Sequence, residues 1–196
     1  MLVLASASPR RRELLERVGI AFTVDPADTD ETRAPGEAAG TYVARVAADK
    51  ARVVRARHER DAVLAADTIV VVDGDVLGKA ADDAEARAML ARLSGRTHVV
   101  TTAVHLVNAA GGARHFAVHT QVEFRALAAR DLDGYLQSGE WRGKAGAYAV
   151  QGIGAGLVRA VRGSYTNVVG LPLVEVLEAL EAEGVAVAAL ARGSAA

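Results

Sequence analysis

The residues THVVTTAVHLV (97–107) and ARHFAVHTQVEFRAL (113–127) form two long strand-like stretches separated by the pair Gly111-Gly112. Threonine, valine and phenylalanine favour strands, and a glycine pair between two such runs favours a tight turn. This region therefore predicts two long antiparallel neighbours. Such a pair argues against a purely parallel, doubly wound sheet and favours an α/β fold with a mixed, strongly twisted sheet and flanking helices.

Upstream, the chain begins with a short apolar stretch, Leu2–Ser6, which predicts a buried strand. The next segment, SPRRRELLERVG (8–19), predicts a helix. Ser8 is suited to cap it, Pro9 to occupy its first position and Gly19 to end it.

A long amphipathic helix is predicted from Glu37 to His58, with Tyr42, Val43, Val46, Ala47 and Val53 on one side. AVLAADTIVVVDGDVLG (62–78) then predicts a strand, an Asp73-Gly74 turn and a second strand. The remaining predicted elements are a strand over 21–24, a helix over 82–95, a short helix over 129–139, a glycine-rich mixture of short strands and turns over 145–170, and a final helix over 171–184. No separable domains are indicated, so residues 1–190 are interpreted as a single domain and residues 191–196 as a frayed tail.

The composition excludes several classes of protein. The 196 residues are 51% hydrophobic, carry a net charge of -1 and include no cysteine, which rules out a disulfide framework, thiol catalysis and a cysteine zinc site. The even charge balance gives no general reason to expect a nucleic-acid or membrane partner. There is no secretory signal pattern and no run of about 20 apolar residues, so a cytoplasmic location is expected.

The first anomaly is the sequence SPRRR. Arg10, Arg11 and Arg12 occupy the first turn of a predicted helix, where the helix dipole disfavours cations. An anion such as phosphate, bound to the free backbone N–H groups, would account for them. The alternative is that these arginines are solvated surface charges.

The second anomaly is Asp67, a carboxylate in the stretch AVLAADTIVVV, which is apolar except at Asp67 and Thr68. A carboxylate in such a strand is seldom buried without a partner, and it often faces a metal or a reacting water. The alternative is a turn between two strands, with Asp67 capping local N–H groups.

Lysine is scarce: of the 23 lysines and arginines, only Lys50, Lys79 and Lys144 are lysines. A compact ammonium suits phosphate coordination, although biased codon usage also explains the scarcity. Other nucleotide motifs are missing, because VQGIGAG (150–156) does not have the Rossmann spacing and no P-loop signature occurs.

Five segments occur in an order that resembles the Maf family of nucleoside triphosphate pyrophosphatases, described as septum-formation proteins. The resemblance extends from Leu2 to about Glu181. The segments are LASASPRRRELL, AADTIVVVDGDVLGKA, LSGRTHVVTTAV, GKAGAYAVQG and GSYTNVVGLPL.

The resemblance implies a fold similar to inosine triphosphate pyrophosphatases, with two lobes around a nucleotide cleft, and a homodimer. It implies a divalent cation, Mg²⁺ or Mn²⁺, and hydrolysis of a nucleoside triphosphate to the monophosphate and pyrophosphate. Asp67 matches the residue that accepts a proton from water or holds the metal. Glu31 matches an acidic metal-binding or water-orienting residue, with Asp30 as a rival.

The resemblance also assigns the substrate contacts. It implies that the phosphates are bound by Ser8, Arg10, Arg11, Lys50 and Lys79. Arg11, Thr68 and Gln151 match the pyrimidine branch of the family, so dTTP and UTP are the expected substrates, and modified pyrimidine nucleotides are included. This house-cleaning role has an expected link to cell division arrest. The alternatives are a 7-methyl-GTP pyrophosphatase and a nucleotide-binding septum-formation regulator with little catalysis.

One departure from the family pattern concerns the segment after the hairpin. Many relatives have Lys-Pro there, whereas this chain has Lys79-Ala80. A looser loop is therefore expected at this point.

Overall fold

The computed structural model describes residues 1–185, which form two compact units. Within the described residues, unit 1 contains Met1–Asp67, Thr102–Ala117 and 170–185, and unit 2 contains Thr68–Thr101 and Val118–Val169. The tail predicted at residues 191–196 lies outside the described residues.

The strands form a mixed sheet, as the sequence predicts. They are β1 (Leu2–Leu4), β2 (Phe22–Val24), β3 (Ala62–Val72), β4 (Asp75–Leu77), β5 (Thr97–Val107), β6 (Ala113–Phe124) and β7 (Val158–Arg162). The strand order is β2-β1-β3-β5-β6-β7, with β4 paired to β3. β1 pairs in parallel with β2 and with β3, whereas the β3–β4 and β6–β7 pairs are antiparallel.

Six α-helices lie between and after these strands in the described chain. They are α1 (Pro9–Arg17), α2 (Ala39–Arg57), α3 (Asp83–Leu93), α4 (Ala129–Gln137), α5 (Tyr165–Val169) and α6 (Leu173–Ala182). Within residues 1–185, none of them is long and apolar enough to cross a membrane.

The predicted boundaries of α1 are correct, but its predicted cap is wrong. Ser8 occupies the cap position, yet its side chain makes no capping hydrogen bond, and its own N–H donates to Ser6 Oγ at 3.2 Å. At the other end Gly19 has a φ of 69°, which glycine adopts without strain, and its N–H donates to the Glu16 carbonyl at 3.0 Å.

The turn between β3 and β4 is also as predicted. Asp73 and Gly74 have φ values of 54° and 83°, the left-handed conformation that a two-residue hairpin turn requires. This turn fixes the register Val70–Leu77 in the antiparallel pair and so places the segment that follows β4.

The glycine-rich region contains more helix than the predicted short strands and turns. Residues Gly152–Leu157 form a 3₁₀ helix, and Tyr165–Val169 form α5. The hydroxyl of Ser164 starts α5 by accepting the N–H of Asn167 at 3.2 Å. The sequence does not predict α5, because one serine cap is a weaker indication of a helix than the surrounding valines are of a strand.

Each unit has its own apolar core. In unit 1 the cluster joins β1, α2 and β3, and in unit 2 it joins β3, α3, β6 and α4. The unit 1 cluster is Val3, Ala5, Ala51, Val54, Val63, Ala65 and Val107.

His98 is buried within unit 2. It is 1% exposed, its ring meets those of Phe124 and Tyr148 edge to face, and its Nε2 lies 2.7 Å from Tyr148 Oη. Removal from water lowers the pKa of His98 to about 4 and raises that of Tyr148.

We predict that His98 makes the protein less stable in mild acid. Between pH 6.5 and about pH 4 the unfolded chain takes up a proton that folded His98 lacks, so stability falls as the pH falls. The loss should reach about 3 kcal/mol near pH 4. Urea unfolding at pH 7 and pH 4 measures it, and His98→Gln should remove this part of the pH dependence. The exposed His115→Gln serves as the control. Equal acid losses in the wild type and His98→Gln would refute the prediction.

Candidate active site

Asp67 lies at the point in β3 where an apolar run ends. Ala62 to Ala66 are buried, and Asp67 itself is only 8% exposed. Its Oδ1 accepts a hydrogen bond from Lys50 Nζ at 2.8 Å. This ion pair explains how a carboxylate is tolerated in so apolar a strand.

Lys50 joins a second carboxylate to the first. Its ammonium, carried by α2 and 8% exposed, also lies 2.6 Å from Glu31 Oε1. We call this arrangement the carboxylate triad: Glu31, Lys50 and Asp67, all within unit 1. One cation between two anions leaves the triad with a formal charge of -1.

Two further side chains of α2 hold the segment that carries Glu31. Tyr42 Oη donates to the Glu31 carbonyl at 2.8 Å, and Arg45 Nη2 donates to the Thr32 carbonyl at 3.0 Å. Burial raises the pKa of Tyr42, and the nearby charges of Asp67 and Glu31 raise it further. The phenol therefore lies within the electrostatic field of the triad.

Asp30, the rival to Glu31, has a different surrounding. Its exposed carboxylate accepts the N–H of Thr32 at 2.8 Å, and hydrogen bonding to Thr32 lowers its pKa. A carboxylate bonded to its own loop in this way fixes the local turn. The geometry thus favours Glu31 over Asp30 as the carboxylate that shares Lys50 with Asp67.

Arg11 is buried beside the triad, in the first turn of α1. It is 8% exposed, its Nε donates to the Gly170 carbonyl at 2.8 Å, and its Nη1 donates to Ser6 Oγ at 3.1 Å. Burial lowers the pKa of Arg11, while the charge of Asp67 opposes this shift. Arg11 is therefore not one of the solvated surface charges that the sequence left open as an alternative.

The other residues of this turn are more accessible. Ser8 and Arg10 are both half-buried, and Arg12 is exposed. Arg12 forms an ion pair with Glu16, one helical turn further on, at 3.5 Å. The three arginines thus have three different surroundings, and Arg12 is the one that fits a surface charge.

Thr68, Lys79 and Gln151 belong to unit 2. Thr68 is half-buried and follows Asp67 directly in β3, Lys79 is exposed after β4, and Gln151 is half-buried before the 3₁₀ helix. The structure thus brings Lys50 into direct contact with Glu31 and with Asp67 in unit 1. It places Thr68, Lys79 and Gln151 in unit 2.

The backbone around Lys79 is held by the segment that contains Gly146. Lys79 forms an isolated antiparallel bridge with Ala145, and the Gly146 N–H donates to the carbonyls of Leu77 and Gly78 at 3.2 and 3.0 Å. Ala80 is buried. The sequence predicts a looser loop here, because Ala80 replaces the proline of many relatives. The hydrogen bonds of Gly146 hold this loop through the carbonyls of Leu77 and Gly78.

The donor set of the triad fits a divalent cation of the magnesium type. Carboxylate oxygens are hard ligands, and Mg²⁺ is usually held by one or two carboxylates together with substrate phosphates. Within residues 1–185 there is no group of three or more histidine, aspartate or glutamate side chains that could hold a metal by itself. Two carboxylates, those of Glu31 and Asp67, are the number that such a cation takes from a protein when phosphate oxygens supply further ligands.

The sequence patterns do not predict the roles of Tyr42 and Arg45. The sequence places Tyr42 on the same side of the helix as four apolar residues, and in the structure its phenol oxygen reaches the loop before that helix. Tyr42 and Lys50 lie eight residues apart on α2, close to two helical turns, so they share a helical face. This spacing is the sequence feature that could have placed Tyr42 near Lys50.

Comparison with known proteins gives three consistent findings. The sequence profile described as Maf, Maf-like protein, matches residues 1–183. The dTTP/UTP pyrophosphatase of Myxococcus xanthus (strain DK1622) is 55% identical over 187 residues, covering 94% of this chain and 93% of that protein. The dTTP/UTP pyrophosphatase of Caulobacter vibrioides (strain ATCC 19089 / CIP 103742 / CB 15) is 50% identical over 184 residues, covering 93% and 95%.

Among solved structures, a nucleoside-triphosphatase / dITP/XTP pyrophosphatase from Mycobacterium abscessus ATCC 19977 / DSM 44196 aligns with a TM-score of 0.49. It is 19% identical and the alignment covers 92% of this chain and 93% of that one.

We predict strong energetic coupling between Lys50 and Asp67. Lys50→Met leaves two carboxylates without their shared cation and should cost about 3 kcal/mol of stability. Adding Asp67→Asn should then cost much less than it does alone, with a coupling energy of about 1–3 kcal/mol by urea unfolding.

The exposed pair Arg92–Asp75 is the control for this cycle, with side chains 41% and 69% exposed. Arg92→Met and Asp75→Asn should couple by less than about 1 kcal/mol. If the Lys50–Asp67 cycle gave a coupling as small as this, the triad would not be a buried ionic network.

Proposed function

Because the chain belongs to the Maf-like protein family, we propose that it is a nucleoside triphosphate pyrophosphatase acting on dTTP and UTP. The single observation that carries the proposal is the carboxylate triad, in which Lys50 Nζ contacts Asp67 at 2.8 Å and Glu31 at 2.6 Å. The dTTP/UTP pyrophosphatases at 50–55% identity support the substrate class.

The reaction joins a water oxygen to the α-phosphorus and breaks the bond from that phosphorus to the oxygen that bridges to the β-phosphate. Pyrophosphate leaves and the nucleoside monophosphate remains. We propose that the carboxylate of Asp67 accepts the proton of the attacking water. Lys50 holds Oδ1 of this carboxylate, so the orientation of the second oxygen is set before substrate binds.

Charge neutralisation is the second requirement, because the triphosphate brings several negative charges to a triad that already carries one. We assign Ser8, Arg10, Arg11 and Lys79 to the phosphates on their positions in the family motifs. The ammonium of Lys50 has three N–H groups, and the contacts to Glu31 and Asp67 use two of them. The third is the group we assign to a phosphate oxygen.

A divalent cation, Mg²⁺ or Mn²⁺, is the proposed cofactor, and Glu31 and Asp67 are the proposed ligands. When bound, it supplies positive charge that offsets the negative charge of the phosphates. Tyr42 binds the Glu31 carbonyl and Arg45 binds that of Thr32, the next residue, so α2 presents the Glu31 carboxylate together with Lys50.

Arg11, Thr68 and Gln151 are the proposed determinants of pyrimidine specificity. Arg11 is tied to a backbone carbonyl and to Ser6, which favours a fixed guanidinium over a flexible one. The homodimer, the cytoplasmic location and the link to cell division that the resemblance implies stay predictions.

The proposal predicts pyrophosphate release from dTTP and UTP in the presence of Mg²⁺ or Mn²⁺, much slower release from 7-methyl-GTP and ITP, and none with EDTA. Asp67→Asn should lower kcat by about 10²-fold or more, because the proton acceptor is lost, while dTTP binding stays measurable. A coupled pyrophosphate assay and calorimetric dTTP titration measure the two quantities.

Asp133→Asn is the matched control, since Asp133 is exposed and pairs with Arg87 on the surface of unit 2. It should leave kcat unchanged. Retention of most of kcat by Asp67→Asn would refute the role of Asp67. A wild-type protein that binds dTTP with metal but releases no pyrophosphate would instead favour the regulator.

A further inference from the structure

Backbone N–H groups on both sides of Gln151 are bound by side chains of unit 2. The N–H of Ala149, two residues before it, donates to Tyr135 Oη at 3.0 Å. The N–H groups of Ile153 and Gly154, which follow it, donate to Glu140 Oε1 and Oε2 at 3.0 and 3.1 Å. We call Tyr135 and Glu140 the Gln151 clamp.

Glu140 meets a need that the 3₁₀ helix creates. This helix spans Gly152–Leu157, and the first N–H groups of any helix have no partner within it. The cap residue Gln151 makes no side-chain capping bond, whereas both oxygens of Glu140 accept N–H groups of the first turn. Hydrogen bonds to an ionised acceptor are stronger than those between neutral groups. The side chain of Gln151 is thereby released from capping.

The glycines of this segment fit the clamp closely. Gly152 has a φ of 60°, and a Cβ there would collide with the Glu140 carboxylate. A Cβ on Gly154 would collide with the Ala149 carbonyl and lie 3.1 Å from Tyr135 Oη. The backbone therefore lies directly against both clamp side chains, which explains two of the glycines of VQGIGAG, Gly152 and Gly154, without a dinucleotide site.

The clamp is itself anchored in the core of unit 2. Tyr135 is 2% exposed on α4, and Trp141, which follows Glu140, is 1% exposed. Ser138 joins the two halves, because its hydroxyl accepts the Glu140 N–H at 3.2 Å and donates to the Tyr135 carbonyl at 2.6 Å. The positions of both clamp residues are thus set by buried neighbours.

We propose that Glu140 and Tyr135 are positioning residues for base recognition. By fixing the backbone on both sides of Gln151, they fix the point from which its side chain extends and so limit the positions that its amide can reach. An amide discriminates between bases best when its donor and acceptor are held in place. This inference rests on the proposed function, because it assumes that Gln151 reads the base of a nucleoside triphosphate.

The test measures discrimination, defined as kcat/KM for UTP divided by kcat/KM for 7-methyl-GTP. Glu140→Ala should lower this ratio about 10-fold or more, while kcat for UTP changes less, since Asp67 and Lys50 are untouched. Glu140→Gln keeps one acceptor oxygen and should give an intermediate ratio. Tyr135→Phe removes only the hydroxyl and should lower the ratio in the same direction.

Two controls separate positioning from general stability. Glu85→Gln alters another carboxylate that accepts a backbone N–H, that of Ala81 at 2.7 Å, and should leave the ratio unchanged. Gln151→Ala should lower the ratio by itself, and adding Glu140→Ala to it should lower the ratio no further, because no amide is left to position. Should Glu140→Ala fail to fold, Glu140→Gln and Tyr135→Phe carry the same comparison.

The outcomes distinguish the two claims. A wild-type protein that does not turn over UTP refutes the proposed function. A wild-type protein that prefers UTP, with Glu140 and Tyr135 variants that keep the full preference, refutes the clamp and leaves the proposed function standing. An unchanged ratio in Gln151→Ala, or equal and additive losses in the double variant, also overturns the inference.

Discussion

The arrangement on which the site depends is a single ammonium between two carboxylates. Lys50 lies 2.8 Å from Asp67 and 2.6 Å from Glu31, and both Lys50 and Asp67 are more than nine-tenths buried. Removing charged groups from water costs several kcal/mol per ion, so such a group is stable only when the fold delivers its partners accurately. β3, α2 and the loop before α2 must therefore meet at this point.

The loops around the site are also held by specific side-chain contacts. Segments without long regular structure are held by side chains that project from well-packed helices. In unit 1, Tyr42 and Arg45 of α2 bind the carbonyls of Glu31 and Thr32. In unit 2, Tyr135 of α4 and the nearby Glu140 bind the N–H groups on either side of Gln151. Loops fixed in this way present functional groups without an entropy cost at each binding event.

The sequence predicted the features that arise from local chemistry. The long strands of β5 and β6, the amphipathic α2 and the Asp73-Gly74 turn follow from residue patterns within a few positions of each other. It also marked Asp67 and Arg11 as anomalies, and both are buried polar residues with specific partners. α5 was missed because one serine cap competes with a valine-rich sequence.

The contacts that could not be predicted join residues far apart in the chain. Lys50 was assigned to phosphate alone, because no pattern in the sequence shows that it meets Glu31 and Asp67, the latter 17 residues away. Glu140 and Ile153 are 13 residues apart, and their bond depends on how the end of α4 packs.

The measurement that tests the account most directly is hydrolysis of dTTP in ¹⁸O-labelled water, followed by mass spectrometry of the products. We predict that the label enters the nucleoside monophosphate, as water attack on the α-phosphorus requires, and label in pyrophosphate or orthophosphate would contradict the account.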